Sequence, residues 1–122
     1  MKNYIRMCKK SRKIQKTWNP AEGDKFIFKN EIGVVYIIAE GRIPDKDNIK
    51  EGIGKVFYLP TQEQLQKMSG LPWWDFDQRC NEIRRVSLED PMSDFEIGTK
   101  EEAGICVVME KYNKFWNGKE WK

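Results

Sequence analysis

The sequence predicts an α+β fold, a small antiparallel sheet packed with an N-terminal amphipathic helix and a C-terminal core helix. Three observations predict it. Apolar residues recur at three- and four-residue steps through the first 17 positions, β-branched and aromatic runs bounded by turn residues follow between 25 and 59, and a heavily apolar segment with a helix-start signal lies between 99 and 115. A chain of 122 residues supports one core more readily than two, so a single domain over 1–122 is expected.

The elements follow in order. Tyr4, Met7, Cys8, Ser11, Ile14 and Trp18 form a narrow stripe that predicts a helix from about residue 3 to 17, ended by Asn19-Pro20. After Gly23-Asp24, the alternation of Lys25 to Lys29 reads as a strand, and the nearly continuous β-branched run Ile32 to Ala39 reads as a second, joined to the first around Asn30. Residues 40–54, rich in Gly, Pro and Asp, read as a loop, and Lys55 to Leu59 as a third strand. Thr61 and Gln64 have the capping-box spacing, in which each side chain satisfies a backbone N–H of the opening turn, and Gly70 ends that helix. Leu71 to Phe76 concentrates Trp73, Trp74 and Phe76, and Asp77 to Val86 continues as a helix with Cys80, Ile83 and Val86 on one side. A polar loop containing Pro91 and Gly98 follows. Thr99 and Glu102 repeat the capping-box spacing and open the last long helix, whose apolar residues run from Ala103 to Phe115. Asn117-Gly118, between Trp116 and Trp121, is a tight-hairpin signal. The phase of these elements predicts burial of Trp18, Ile37, Leu65, Ile105, Val108 and Met109.

Charge is unevenly placed. Residues 1–21 hold seven cations and no acid, so the rest of the chain carries a net −4 against the overall +3. The plain reading is a solvated basic face; the functional readings are attraction to an anion, nucleic acid or nucleotide, or contact with an acidic subunit face. This basic opening has no continuous apolar core, so a cleaved secretory signal is not expected. The longest apolar run, Val34 to Ala39, falls far short of the roughly 20 residues a membrane-spanning helix needs. A cytoplasmic location is therefore expected.

Several chemistries lose their ingredients at this point. The sequence has no histidine, which removes histidine general bases, catalytic triads and most zinc sites. Cys8, Cys80 and Cys106 are odd in number and widely spaced, which argues against a disulfide framework or a metal knuckle. There is no GxxxxGK loop and no Gly-rich strand-to-helix turn. Asp75 with Asp77 on an extended segment, and Glu89-Asp90 with Asp94 and Glu96, are the candidate carboxylate clusters, and acids flanking loops are usually solvated. Cys8 beside Lys9 is the candidate thiolate, although its place on the apolar stripe marks it as a core residue. A protein that is not an enzyme, with no cofactor and no metal, is therefore expected.

What remains is flat side chains and fixed cations. Aromatic faces stack on bases whatever the sequence, and arginines grip phosphate through paired donors. Trp73 and Trp74 cannot both point inward from a regular element, so one should be exposed or covered by a partner; a subunit interface and a stacking platform explain that equally well.

Three blocks carry a resemblance. Tyr4 to Lys10 followed by Ile14-Gln15, Tyr58 to Gln66, and Met109 to Tyr112 with Trp116 to Trp121 resemble small proteins of phages and prophages of Firmicutes. The whole resembles the first-described family of Thoeris anti-defence sponges. That resemblance implies a homodimer or higher homo-oligomer that sequesters a cyclic ADP-ribose signal without cleaving it, in pockets at the dimer interface. It also implies that some members hold cyclic oligonucleotides of CBASS defence at separate sites. The expected ligand-binding residues are an aromatic from Trp73, Trp74 and Phe76, stacking on adenine, and Arg79, Arg84 or Arg85 on the pyrophosphate. The rival expectations are a phage nucleic-acid-binding accessory protein using the basic first helix, and an inhibitor that contacts a host effector directly through its tryptophans.

Overall fold

The computed structural model describes residues 2–19, 21–28, 35–38, 56–89 and 97–122. They form an α+β protein with five helices and one three-stranded antiparallel sheet, an N-terminal helix and a C-terminal helix among them. The chain divides into two compact units, Met1–Thr61 and Gln62–Lys122.

In the first unit the expected single helix is two, α1 (Lys2–Lys10) and α2 (Arg12–Thr17). Ser11 is the cause. It is fully buried in extended backbone (φ −91°, ψ 90°), and its hydroxyl accepts a hydrogen bond from the Ile14 N–H at 3.3 Å, so the chain caps and restarts instead of running on. The apolar stripe survives the break, because Tyr4, Met7, Cys8 and Ile14 are all buried.

The sheet has β1 (Lys25–Phe28) in the centre, with β2 (Tyr36–Ile37) and β3 (Val56–Leu59) antiparallel on either side. All three lie within the strands the sequence predicts; the turn around Asn30, the loop 40–54, Pro20, Lys29, Lys55 and residues 32–34 and 39 of the expected second strand lie outside the described residues. Ile37, expected inside, is 61% exposed. It pairs with the exposed Lys25, while Ile38 takes the buried position. An unbroken apolar run carries no alternation, so its phase is invisible in the sequence. Trp18 is half-buried, its ring stacked on Tyr58 at 5.0 Å and its indole N–H donating to the buried Asp24 carboxylate at 3.0 Å.

One side chain ties α2 to the sheet. Strand β3 is an edge, and Tyr58 turns its N–H and C=O outward from β1. The Gln15 amide meets both: its Oε1 accepts from the Tyr58 N–H at 2.7 Å, and its Nε2 donates to the Tyr58 carbonyl at 3.0 Å and to the Cys8 carbonyl at 3.1 Å. A glutamine here completes the ladder as a further strand would.

In the second unit α3 (Gln62–Ser69) ends at Gly70, whose φ of 73° lies in the left-handed region, as the sequence predicts. Helix α4 (Trp73–Glu89) is one continuous helix, and α5 (Lys100–Glu110) starts on the predicted cap, with the Thr99 hydroxyl accepting from the Glu102 N–H at 3.1 Å. Helix α5 stops earlier than its apolar run. Asn113 takes a left-handed φ of 56°, and its N–H and that of Lys114 bond back to the carbonyls of Glu110 and Met109. The chain then turns through Asn117-Gly118, with Trp116 bridged to Trp121 and the Asn117 carboxamide accepting from the Lys119 and Glu120 N–H groups.

Helix α5 packs on α3 and α4, burying Leu65, Phe76, Ala103, Ile105, Val108 and Met109. Gly104 permits the approach: a β-carbon there would sit 3.0 Å from Leu65 Cδ1 and 3.1 Å from Phe76 Cζ.

Two stability predictions follow from these contacts. Gln15→Leu leaves the Tyr58 amide and carbonyl without their partner and should destabilise the protein by about 1–3 kcal/mol in urea unfolding, with Gln15→Glu also losing the two donated bonds. Gly104→Val should cost about 1–3 kcal/mol through overpacking, against which its small helix-propensity gain is minor. Wild-type stability in either variant would contradict the corresponding contact.

Candidate functional site

The rotation of α4 decides which candidate residues meet solvent. Phe76 and Cys80 face inward and are fully buried, with Phe76 filling space beside Gly104. At about 100° per residue, Trp74, Gln78, Asn81 and Arg85 then fall within roughly 60° of the opposite side. These four residues, with Asp77 and Glu82, line an open groove of about 450 Å³.

Sequence reasoning leaves one of the two tryptophans for solvent; the structure exposes both, Trp73 at 52% and Trp74 at 77%. Phe76, grouped with them as a candidate stacking ring, takes the inward position and is unavailable to a ligand. The three arginines also part company. Arg79 is committed within the protein: its guanidinium holds Glu110 through two bonds of 2.7 and 3.2 Å and Glu82 through one of 3.0 Å. Hydrogen bonding to Glu110 is the main reason its pKa is raised. Arg84 lies off the groove, half-buried, with its Nε enclosed and unpartnered. Arg85 is exposed on the Trp74 face.

The groove's acids are already engaged. Asp77 accepts from the Lys100 ammonium at 3.2 Å and Glu82 shares Arg79 with Glu110, so both groove carboxylates have cationic partners and Arg85 is left as the groove's own cation. A ring face, two carboxamides and one guanidinium can receive a flat heteroaromatic group and an anion together.

A second cavity went unseen in the sequence. It measures about 260 Å³ and lies between α4, α5 and the Trp116–Trp121 turn, with Ile83, Ile97, Phe115 and both tryptophans as walls and Arg79, Glu110 and Lys114 as polar groups. The tight-turn signal with flanking tryptophans was the available clue, since a short turn must bring the two rings together; they sit 5.2 Å apart. The Trp116 indole N–H is buried without a partner.

The basic opening segment divides with its helices. Arg6, Lys10, Arg12, Lys13 and Lys16 are exposed, while the Lys9 ammonium sits 5.5 Å from the centre of the Phe57 ring.

The carboxylate and thiol candidates take new places. Asp75 and Asp77 lie on a helix, not an extended segment, and two residues of helix separate them by about 200°. Asp90, Asp94 and Glu96 lie outside the described residues. Among the described residues no group of three or more acids and cysteines is placed to hold a metal ion, and no helix is long and apolar enough to cross a membrane. Burial pushes the thiols upward, Cys8 and Cys106 to about 12 and Cys80 to about 11.

No protein family, no curated protein and no solved structure shows a match to this chain.

The thiol shifts give a direct prediction. At pH 8 a group with a pKa near 11 is ionised about a hundredfold less than an ordinary cysteine near 8.5–9, so alkylation of the native protein should be slower than that of free cysteine by at least that factor. The rate should climb as pH approaches 11, and all three cysteines should react promptly in guanidinium. Rapid labelling of the native protein at pH 8 would contradict the burial of these thiols.

Proposed function

We propose that this protein binds and sequesters a small cyclic adenine nucleotide of the cyclic ADP-ribose type without cleaving it, as an anti-defence sponge that blocks Thoeris signalling. The observation that carries the proposal is the outward face of α4, where the 77%-exposed Trp74 shares a groove with Gln78, Asn81 and Arg85. Trp74 stacks on adenine, the carboxamides meet the base or ribose edges, and Arg85 pairs with the pyrophosphate. The groove's volume lies in the range of small-molecule sites, whereas the cavity beside Trp116 has room for a ring system alone.

The groove is built from one helix and is open to solvent, so a ligand held there keeps one face uncovered. A second copy of the chain, docked through Trp73 and Trp74, would cover that face and exclude water. The protein then acts by mass action: a tight site in excess over its ligand withdraws the signal from its receptor. Direct contact with a host effector is the second reading, favoured by the same pair of exposed tryptophans, since aromatic side chains are the usual anchors of protein interfaces.

The test incubates the protein with the product of a TIR-domain enzyme, removes free nucleotide, heats the protein and identifies what is released. Intact signal supports the sponge, a changed product indicates an enzyme, and no retention removes both. Arg85→Ala should weaken binding at least tenfold through loss of charge-assisted contacts of roughly 1.5–3 kcal/mol, and Trp74→Ala by a similar factor. Arg84→Ala and the triple alanine variant of Lys9, Lys10 and Lys13 should change it little. The opposite ranking would move phosphate recognition to the basic helices and favour nucleic acid as the ligand, with a steep dependence on salt.

A further inference from the structure

We infer that the cavity beside the Trp116–Trp121 turn is a second binding site, for a planar aromatic molecule that carries one negative charge. Shape gives the first half of that description. The cavity holds about 260 Å³, enough for a fused two-ring system and too little for a whole nucleotide, and its walls are Ile83, Ile97, Phe115, Trp116 and Trp121. The two indoles are tilted by 54° to each other, and both line the cavity, so a flat guest meets aromatic surface there. Its mouth stays apolar in water: Phe115 and Val86 are each 60% exposed, an arrangement that leaves large apolar surface uncovered next to a preformed hole.

Charge gives the second half. Three ionised groups stand at the cavity. Arg79 and Glu110 are paired through bonds of 2.7 and 3.2 Å, with Arg79 also holding Glu82, outside the cavity, at 3.0 Å, so the guanidinium is already engaged. Lys114 makes no ion pair with any described residue, so it stands as the unpaired cation at the cavity's exposed end. Lys114 is also fixed in place at its backbone, where its N–H bonds to the Met109 carbonyl as the α5 terminus closes. An apolar ring inside and a carboxylate at the mouth match this division, and a cationic guest would meet repulsion there.

The site is independent of the groove on α4, since neither Trp74 nor Arg85 lines it. The probe is 2-naphthoate, titrated into the full chain while the indole N–H resonances are followed by NMR, with 2-naphthylmethylammonium as the probe of opposite charge. The expected result is saturable shifts of the Trp116 and Trp121 resonances with 2-naphthoate and at least threefold weaker binding of the cation. Phe115→Ala should weaken naphthoate binding about tenfold by removing an aromatic wall, and Lys114→Gln about three- to fivefold. Both positions are exposed, so both variants should retain the native fold, which their thermal unfolding checks. Trp74→Ala and Arg85→Ala should leave naphthoate binding unchanged, so a failure here and a failure of nucleotide binding are separable. Absence of shifts at Trp116 and Trp121, or equal binding of the two probes with no effect of Lys114→Gln, would overturn the assignment.

Discussion

The missing β-carbon of Gly104 sets the geometry on which the second unit depends. Leu65 from α3 and Phe76 from α4 both close on this point of α5, at distances a methyl group would not permit without displacement. With Phe76 held inward, α4 has one permitted rotation, and everything else on that helix follows. Trp74 and Arg85 are carried to the far side, Arg79 is turned to Glu110, and Ile83 is left facing the tryptophan turn. A glycine in a helix interior is destabilising by roughly 0.5–1 kcal/mol relative to alanine, so its presence here is an argument for the close approach it allows.

The first unit solves a different problem, the exposed edge of a small sheet. A three-stranded sheet has two edges, and an unpaired edge offers its amides to any passing strand. Gln15 occupies one of them with a side chain that has both an acceptor and donors, which no aliphatic residue supplies. That bond pair also requires α2 to start where it does. Ser11 provides the restart, and the stripe from Tyr4 to Ile14 stays buried across the break because a helix restarted by a cap can keep its apolar side toward the sheet.

Arg79 shows how the fold gives different tasks to residues of one type. Arg79, Arg84 and Arg85 share one helix and one charge, yet one closes two ion pairs, one buries an unpartnered nitrogen and one lines a groove with its side chain exposed. Their phosphate-binding capacity differs accordingly, because a guanidinium already held by three carboxylate oxygens must give up those bonds before it can take others. The same division separates Phe76 from Trp74: identical in kind as flat rings, opposite in placement.

The sequence by itself determined the class of fold, the positions of the strands, the cap at Thr99, the stop at Gly70 and the turn at Asn117-Gly118. Each is fixed by local chemistry: alternation, a hydroxyl three residues before its amide, a residue that tolerates positive φ. Only the tertiary structure decided what depends on two segments meeting. The phase of Ile37 and Ile38 followed from strand pairing, because an unbroken apolar run has no period of its own. The break at Ser11 followed from burial of a hydroxyl that the stripe alone marks as one more small residue. The face of α4 that carries Trp74 and Arg85 followed from Gly104, 19 to 30 positions away in sequence, and the cavity at Trp116 from helices whose approach no local pattern encodes. Residue types announce what a site can be made of; which of them share a surface is set by side-chain volumes across the core, and those are read only when the chain is folded.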